Sequence, residues 1–161
     1  MTPRAIEVLR QVPWIAAEDT RHSAPLLRHY GCQARLLAAH QHNEESAAQQ
    51  VIARLAVGES VALIVDAGTP AVSDPGARLV ARVRAAAYRV VPLPGPCAAI
   101  VALSAAGLSE AHFLFYGFLP SKAGQRAEAL RELAHLPYAL VFYEAPHRIL
   151  ETVAALAEAF G

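Results

Sequence analysis

The run Glu144-Ala145-Pro146-His147-Arg148 brings a carboxylate, an imidazole and a guanidinium together at one turn. Such a set can accept a proton and hold an anion, and an acid ahead of a helix with bases behind its start also suits simple helix initiation. A second cluster, Glu18-Asp19-Thr20-Arg21, pairs two carboxylates with a guanidinium. Those groups can orient a hydroxyl, bind phosphate or cap the helix that follows. In His40-Gln41-His42-Asn43-Glu44, alternate residues of an extended segment would point the same way. A closed metal site needs about four ligands, however, and no second His or Cys pair stands at ligand spacing, so no metal is expected. Cys97 has no base beside it in sequence and reads as a small buried residue rather than a nucleophile.

The most unusual stretch is residues 67–76, Ala-Gly-Thr-Pro-Ala-Val-Ser-Asp-Pro-Gly, which Asp66 introduces. Gly68 and Gly76 let backbone come close to a ligand, while Pro70 and Pro75 hold the loop open and exclude helix and strand. It is longer than the roughly two to six residues of an ordinary βα connection, and long ordered loops in compact domains are usually functional. Its spacing fits neither Gly-x-Gly-x-x-Gly nor the Walker pattern ending in Gly-Lys-Ser/Thr, which disfavours nicotinamide and nucleoside-triphosphate enzymes.

Alternating strands and helices must position these groups. Apolar runs predict strands at residues 14–17, 36–39, 61–65, 89–93 and 139–143, and the aromatic density at Phe113, Phe115, Tyr116 and Phe118 predicts another. Helical spacing predicts helices at residues 3–12, 23–30, 44–57, 77–87, 97–106, 125–135 and 147–160. Thr2 would cap the first of them, with Pro3 at its first position. The continuous apolar run at 61–65 is of the kind expected for a strand covered on both faces. Such alternation predicts an α/β fold with mainly parallel sheets, whose ligands bind at the carboxyl ends of the strands. Residues 18–21, 66–76, 94–97 and 144–148 all follow predicted strands and are expected on that rim. A boundary near residue 110 divides the chain into domains at 1–110 and 111–161.

The 161 residues suffice for a sizeable core, and 55% hydrophobic with 17% charged residues excludes a disordered chain. No run reaches the roughly 18 apolar residues of a membrane span, and no signal sequence opens the chain, so a cytoplasmic protein is expected. Fourteen basic and fourteen acidic residues balance. A nucleic-acid substrate would therefore need a local patch rather than a bulk positive field.

Six segments in order resemble the ribosomal RNA small subunit methyltransferase I family of the tetrapyrrole methylase superfamily. They are Ala17-Glu18-Asp19-Thr20-Arg21, His40-Gln41-His42-Asn43-Glu44, residues 66–76, Pro92-Leu93-Pro94-Gly95-Pro96, Gly117-Phe118-Leu119-Pro120 and Phe142-Tyr143-Glu144-Ala145-Pro146-His147-Arg148. The resemblance implies two α/β domains with S-adenosylmethionine in the cleft between them, usually in a homodimer. It also implies 2′-O-methylation of a cytidine ribose in small-subunit ribosomal RNA. Donor contacts carry over to Asp66, Ala67, Gly68, Thr69 and Val72, and to Cys97 and Ala98 in the later turn. Serine is usual in the family where Cys97 stands and common where Val65 stands, so side-chain hydroxyl contacts are not expected there, whereas backbone contacts are. The family opens with a further strand and loop and continues past the last helix. This chain is expected to be a piece with an incomplete second domain, weak or inactive alone.

Methyl transfer to a ribose hydroxyl needs alignment and a proton acceptor. Residue chemistry and placement nominate Asp19 and Glu144, with His147 as an alternative base or orienting group, and Arg21 and Arg148 for RNA phosphate. Two other readings share parts of this evidence. One is a sister enzyme acting on a tetrapyrrole or other small molecule; the other is a noncatalytic remnant that binds RNA or a partner.

Overall fold

The structure, a computed structural model, describes residues 1–161. They form two compact units, Met1–Cys97 and Ala98–Gly161.

In the first unit, α1 (Pro3–Gln11) starts where Thr2 Oγ1 accepts the Ala5 N–H at 3.4 Å and ends before Pro13, which cannot continue it. Three parallel strands follow: β1 (Trp14–Ala17), β2 (Arg35–Ala38) and β3 (Val61–Ile64), in the order β2-β1-β3. The connecting helices are α2 (Thr20–His29) and α3 (Glu44–Ala56), and α4 (Ala77–Ala85) follows β3. The strand buried on both faces is β1, in the middle, whereas the apolar run at 61–65 is only half-buried. Hydrophobicity along a strand cannot tell centre from edge; pairing decides that.

Alternation along β1 builds two cores. Ile15 and Ala17 pack with Leu9 of α1 and Leu27 of α2. Ala16 faces the other way, against Ala47, Ala48 and Val51 of α3 and Leu79 and Val83 of α4. Full burial of Ile15 alone contributes about 2–3 kcal/mol. Because β2 and β3 lie on opposite sides of β1, right-handed crossovers require α2 and α3 on opposite faces of the sheet, which is where the two cores place them. The chain leaves β1 toward one face and β3 toward the other. Their carboxyl ends therefore form a topological switch point, the position where an open α/β sheet has room for a ligand.

Two expectations change here. Helix α2 begins at Thr20 rather than Ser23, because Asp19 accepts the Arg21 N–H and caps it three residues earlier. Residues 89–93 form no strand: Val90 and Val91 are exposed and no neighbour offers them a ladder. An apolar run without a partner has nowhere to place its backbone hydrogen bonds except water.

The second unit opens with α5 (Ala98–Ala105) and contains β4 (Phe113–Phe118) and β5 (Ala139–Tyr143), paired in parallel through α6 (Ala123–Leu133). A register shift between Phe115 and Gly117 leaves Tyr116 as an extra residue, and Gly117 takes the left-handed φ of +83° that this bulge needs. A short 3-10 turn (Pro146–Arg148) leads into α7 (Ile149–Phe160). Leu119 and Leu130, both buried, form the core with Phe142 and Leu156.

Candidate functional site

At the switch point of the first unit, Glu18 joins two strand ends. Its carboxylate accepts the Asp66 N–H at 3.2 Å, and its own N–H donates to Ile64 O at 3.3 Å. Asp19 faces α2 instead: it accepts the Arg21 N–H at 2.8 Å and meets the Arg21 guanidinium at 3.3–3.4 Å. The Arg21 side-chain hydrogen bond, followed by the backbone N–H, holds the Asp19 carboxyl below its ordinary value. The Arg21 side chain itself is 91% exposed.

The His40 segment is a turn rather than extended chain. Asn43 organises it, accepting the His40 N–H at 2.8 Å and donating to Ala38 O at 3.0 Å. Glu44 points elsewhere, buried, and accepts the N–H groups of Arg78 and Leu79 at 2.9 and 3.3 Å, so it caps α4.

Residues 66–76 brace themselves. Thr69 N–H donates to Asp74 Oδ2 at 3.0 Å, Val72 N–H to Thr69 O at 3.1 Å and Ala71 N–H to Pro75 O at 3.0 Å. Gly68 has φ +74°, and a Cβ there would stand 2.5 Å from Asp74 Oδ2, so the close approach of the two requires glycine. Ala71 and Ser73 take left-handed φ values of +70° and +57°, each costing about 1 kcal/mol or more unless the surroundings hold it. Asp66, Ala67, Gly68, Thr69 and Val72 are all exposed. The Ala67 and Gly68 N–H groups have no intrachain acceptor, so two adjacent donors and a carboxylate face outward from one strand end.

Residues 94–97 follow no strand. Pro94 O accepts from Thr2 Oγ1 at 3.4 Å, Cys97 is half-buried, and Ala98 begins α5 in the second unit.

The second unit has its own rim. Glu144 follows β5 with only 3% of its side chain exposed. Its Oε1 accepts the Ala145 N–H at 2.8 Å; its Oε2 accepts the Thr152 hydroxyl at 2.6 Å and lies 3.2 Å from the Arg148 guanidinium. Burial works against ionisation of this carboxyl, but the Thr152 hydroxyl, the Ala145 N–H and the charges of Arg148 and Arg126 together keep it below the ordinary glutamate value. Arg148 also donates to Leu119 O at 3.0 Å. His147 is exposed, with no intrachain hydrogen bond on its imidazole. Elsewhere in this unit a cavity is lined by Leu133, Leu140, Phe142, Leu156 and Phe160 among others. That apolar lining has no carboxylate or cation to recognise a charged ligand.

All 161 residues match the family described as Tetrapyrrole (Corrin/Porphyrin) Methylases. The chain belongs to the tetrapyrrole methylase family. Over its whole length it is 53% identical to a Pseudomonas aeruginosa protein and to one from Xylella fastidiosa, and 51% identical to one from Escherichia coli. Each of the three is named "Ribosomal RNA small subunit methyltransferase I", and this chain spans 57%, 59% and 56% of their lengths. The parallel α/β sheets agree with the expected methylase fold. No helix is long and apolar enough to cross a membrane.

Within this family framework, the first unit brings together Glu18, Asp66 and the braced loop at the β1/β3 switch point. Glu144, His147 and Arg148 are together on the second unit. Sequence reasoning gave no role to Asp74, Thr152 or Arg126. Asp74 closes a loop across the left-handed pair Ala71 and Ser73, which local propensity does not announce. Thr152 lies eight residues from its partner, across a turn of irregular pitch. Arg126 is 6% exposed and donates to Ser121 O at 3.4 Å, although a helix-start arginine ordinarily reads as solvated.

Proposed function

We propose that this chain is part of an S-adenosylmethionine-dependent methyltransferase acting on small-subunit ribosomal RNA, with a cytidine ribose 2′-hydroxyl as acceptor. The match of all 161 residues to relatives bearing the ribosomal RNA methyltransferase name carries this reading. The geometry of residues 66–76 supports its location. An exposed carboxylate beside two unpaired N–H groups suits a ligand that bears both a cation and an anion. Asp66, Ala67, Gly68, Thr69 and Val72 would hold the donor there, with backbone at Cys97 and Ala98 as further contacts. When bound, the donor would supply a methyl carbon on a sulfonium, open to in-line attack by a hydroxyl oxygen with a neutral thioether as leaving group.

The residues of this chain then divide the remaining work. As the oxygen–carbon bond forms and the carbon–sulfur bond breaks, the hydroxyl proton must go to an acceptor. His147, exposed and unengaged, is the group best able to take it. Glu144 and Asp19 are held ionised by the partners they already have, which makes both weaker bases and suits them to placement. Arg21 reaches into solvent and can pair with RNA phosphate, and Arg148 contributes through its exposed part. Homodimer assembly and a cytoplasmic location belong to the same proposal.

Calorimetric titration with S-adenosylmethionine, followed by methylation of small-subunit ribosomal RNA with a labelled donor, tests it. Donor binding with label at a cytidine 2′-oxygen is the expected result. Label transferred to a tetrapyrrole instead would replace the acceptor, and absence of donor binding in the protein at its relatives' full length would overturn the reading.

A further inference from the structure

We infer that Thr152 is a positioning residue for the turn that carries His147, acting through Glu144, whose carboxylate serves as an anchor rather than as the proton acceptor. The inference rests on the proposed methyl transfer with His147 as base. Thr152, in the first turn of α7, is 2% exposed, and its hydroxyl donates to Glu144 Oε2 at 2.6 Å, the length of a charge-assisted bond. Glu144 stands at the end of β5, so this one bond ties the strand end to the helix start. Arg148 adds a second tie, meeting Glu144 at 3.2 Å and donating to Leu119 O at 3.0 Å in the segment after β4. The turn Pro146–Arg148 lies between the tied points with the His147 imidazole exposed at its middle.

A carboxylate whose side chain is 3% exposed, which accepts two hydrogen bonds and pairs with a guanidinium, offers a substrate almost no surface. Taking a proton would remove the charge that strengthens both the Thr152 bond and the Arg148 pairing. Against the opposing effect of burial, the Thr152 hydroxyl and the Ala145 N–H favour the ionised state, and the charges of Arg148 and of Arg126, which is buried on α6 with the exposed Glu151 as ionic partner at 3.8 Å, add to them. His147 is the remaining titratable group on this turn. What Glu144 can do is hold, and Thr152 is the buried hydroxyl that fixes how it holds.

Thr152→Val keeps the side-chain shape and removes the hydroxyl, and Thr152→Ser keeps the hydroxyl. In the full-length protein, assayed well below the melting temperature of each variant, Thr152→Val is expected to lower kcat for RNA methylation about tenfold to a hundredfold, the cost of a misplaced catalytic group. Donor affinity, which resides in residues 66–76, is expected to stay unchanged, and Thr152→Ser to restore most of the rate. An unchanged kcat, an equal loss of donor affinity or no rescue by serine would overturn the inference. Amide hydrogen exchange on this chain separates it from the methyltransferase reading. Thr152→Val is expected to speed exchange at Ala145 and Arg148, whose N–H groups donate to Glu144 Oε1 and Ala145 O, whether or not RNA is methylated, and unchanged exchange there would overturn the anchoring role. A wild-type protein that fails to bind donor, with that exchange effect present, would remove the methyltransferase reading alone.

Discussion

The loop at residues 66–76 and the turn at residues 144–148 each follow a parallel strand and each contain carboxylates, but they use their polar groups in opposite ways. In the loop, Asp74 looks inward to the Thr69 N–H, and this internal brace leaves Asp66 and the Ala67 and Gly68 N–H groups facing solvent. In the turn, the buried Glu144 takes up the Thr152 hydroxyl, the Ala145 N–H and the Arg148 charge, leaving His147 as the free group. The proposed role of the loop in binding needs unpaired donors, and the brace that leaves them unpaired includes left-handed backbone at Ala71 and Ser73. The proposed role of the turn in proton transfer needs only one unengaged side chain, so its other polar groups can serve rigidity.

This contrast predicts unequal responses to mutation. Glu144→Ala would strand Arg148 and Thr152 without their partner and is expected to destabilise the second unit by about 3 kcal/mol, measured by urea unfolding. Glu144→Gln keeps the shape and loses the charge, and near neutral pH wild type should exceed it by about 2 kcal/mol, the worth of hydrogen bonds to a charged group. Because folding lowers the Glu144 pKa, that advantage is fully present above the ordinary value of 4.5 and disappears as pH falls below it through the folded value. A pH-independent gap between the two proteins would show that the carboxylate's charge is not what anchors the turn.

For the loop, the effects should register in ligand affinity rather than global stability. Gly68→Ala places a Cβ against Asp74 on left-handed backbone and is expected to weaken S-adenosylmethionine binding about tenfold by calorimetry, equivalent to about 1.4 kcal/mol. Asp74→Ala removes the Thr69 bond only and is expected to weaken it about fivefold, equivalent to about 1 kcal/mol. A Glu144-sized loss of stability from either would erase the distinction between the regions. Smallest of all, Arg21→Ala is expected to leave the melting temperature unchanged, because its pairing with Asp19 is solvated. It should lower RNA affinity in a salt-dependent manner, read by filter binding at two ionic strengths.

Much of the fold was legible because periodicity and caps are local: the strands at 14–17 and 139–143, the Thr2-Pro3 helix start and the order of elements all follow from neighbouring residues. The site was legible as segments and much less as roles. Glu144 reads in sequence as a candidate base, and nothing within a few residues of it announces the Thr152 hydroxyl or the Leu119 carbonyl that Arg148 uses. Glu44 reads with the histidines beside it, whereas its partners are the N–H groups of Arg78 and Leu79, more than thirty positions away. The segment at 89–93 has a strand's composition and lacks a strand's neighbour.

By itself, the sequence determined the alternation of strand and helix, the loop whose glycines and prolines exclude regular structure, and the ordered segments that mark the family. These depend on dihedral preference and side-chain spacing, which a chain carries before it folds. Only the tertiary structure decided that β1 is the buried central strand, that its end and that of β3 form the switch point, and that the Glu144 carboxylate is already engaged by Thr152, Ala145 and Arg148. Pairing, burial and the saturation of a carboxylate depend on groups distant in sequence, and those groups meet only when the chain is folded.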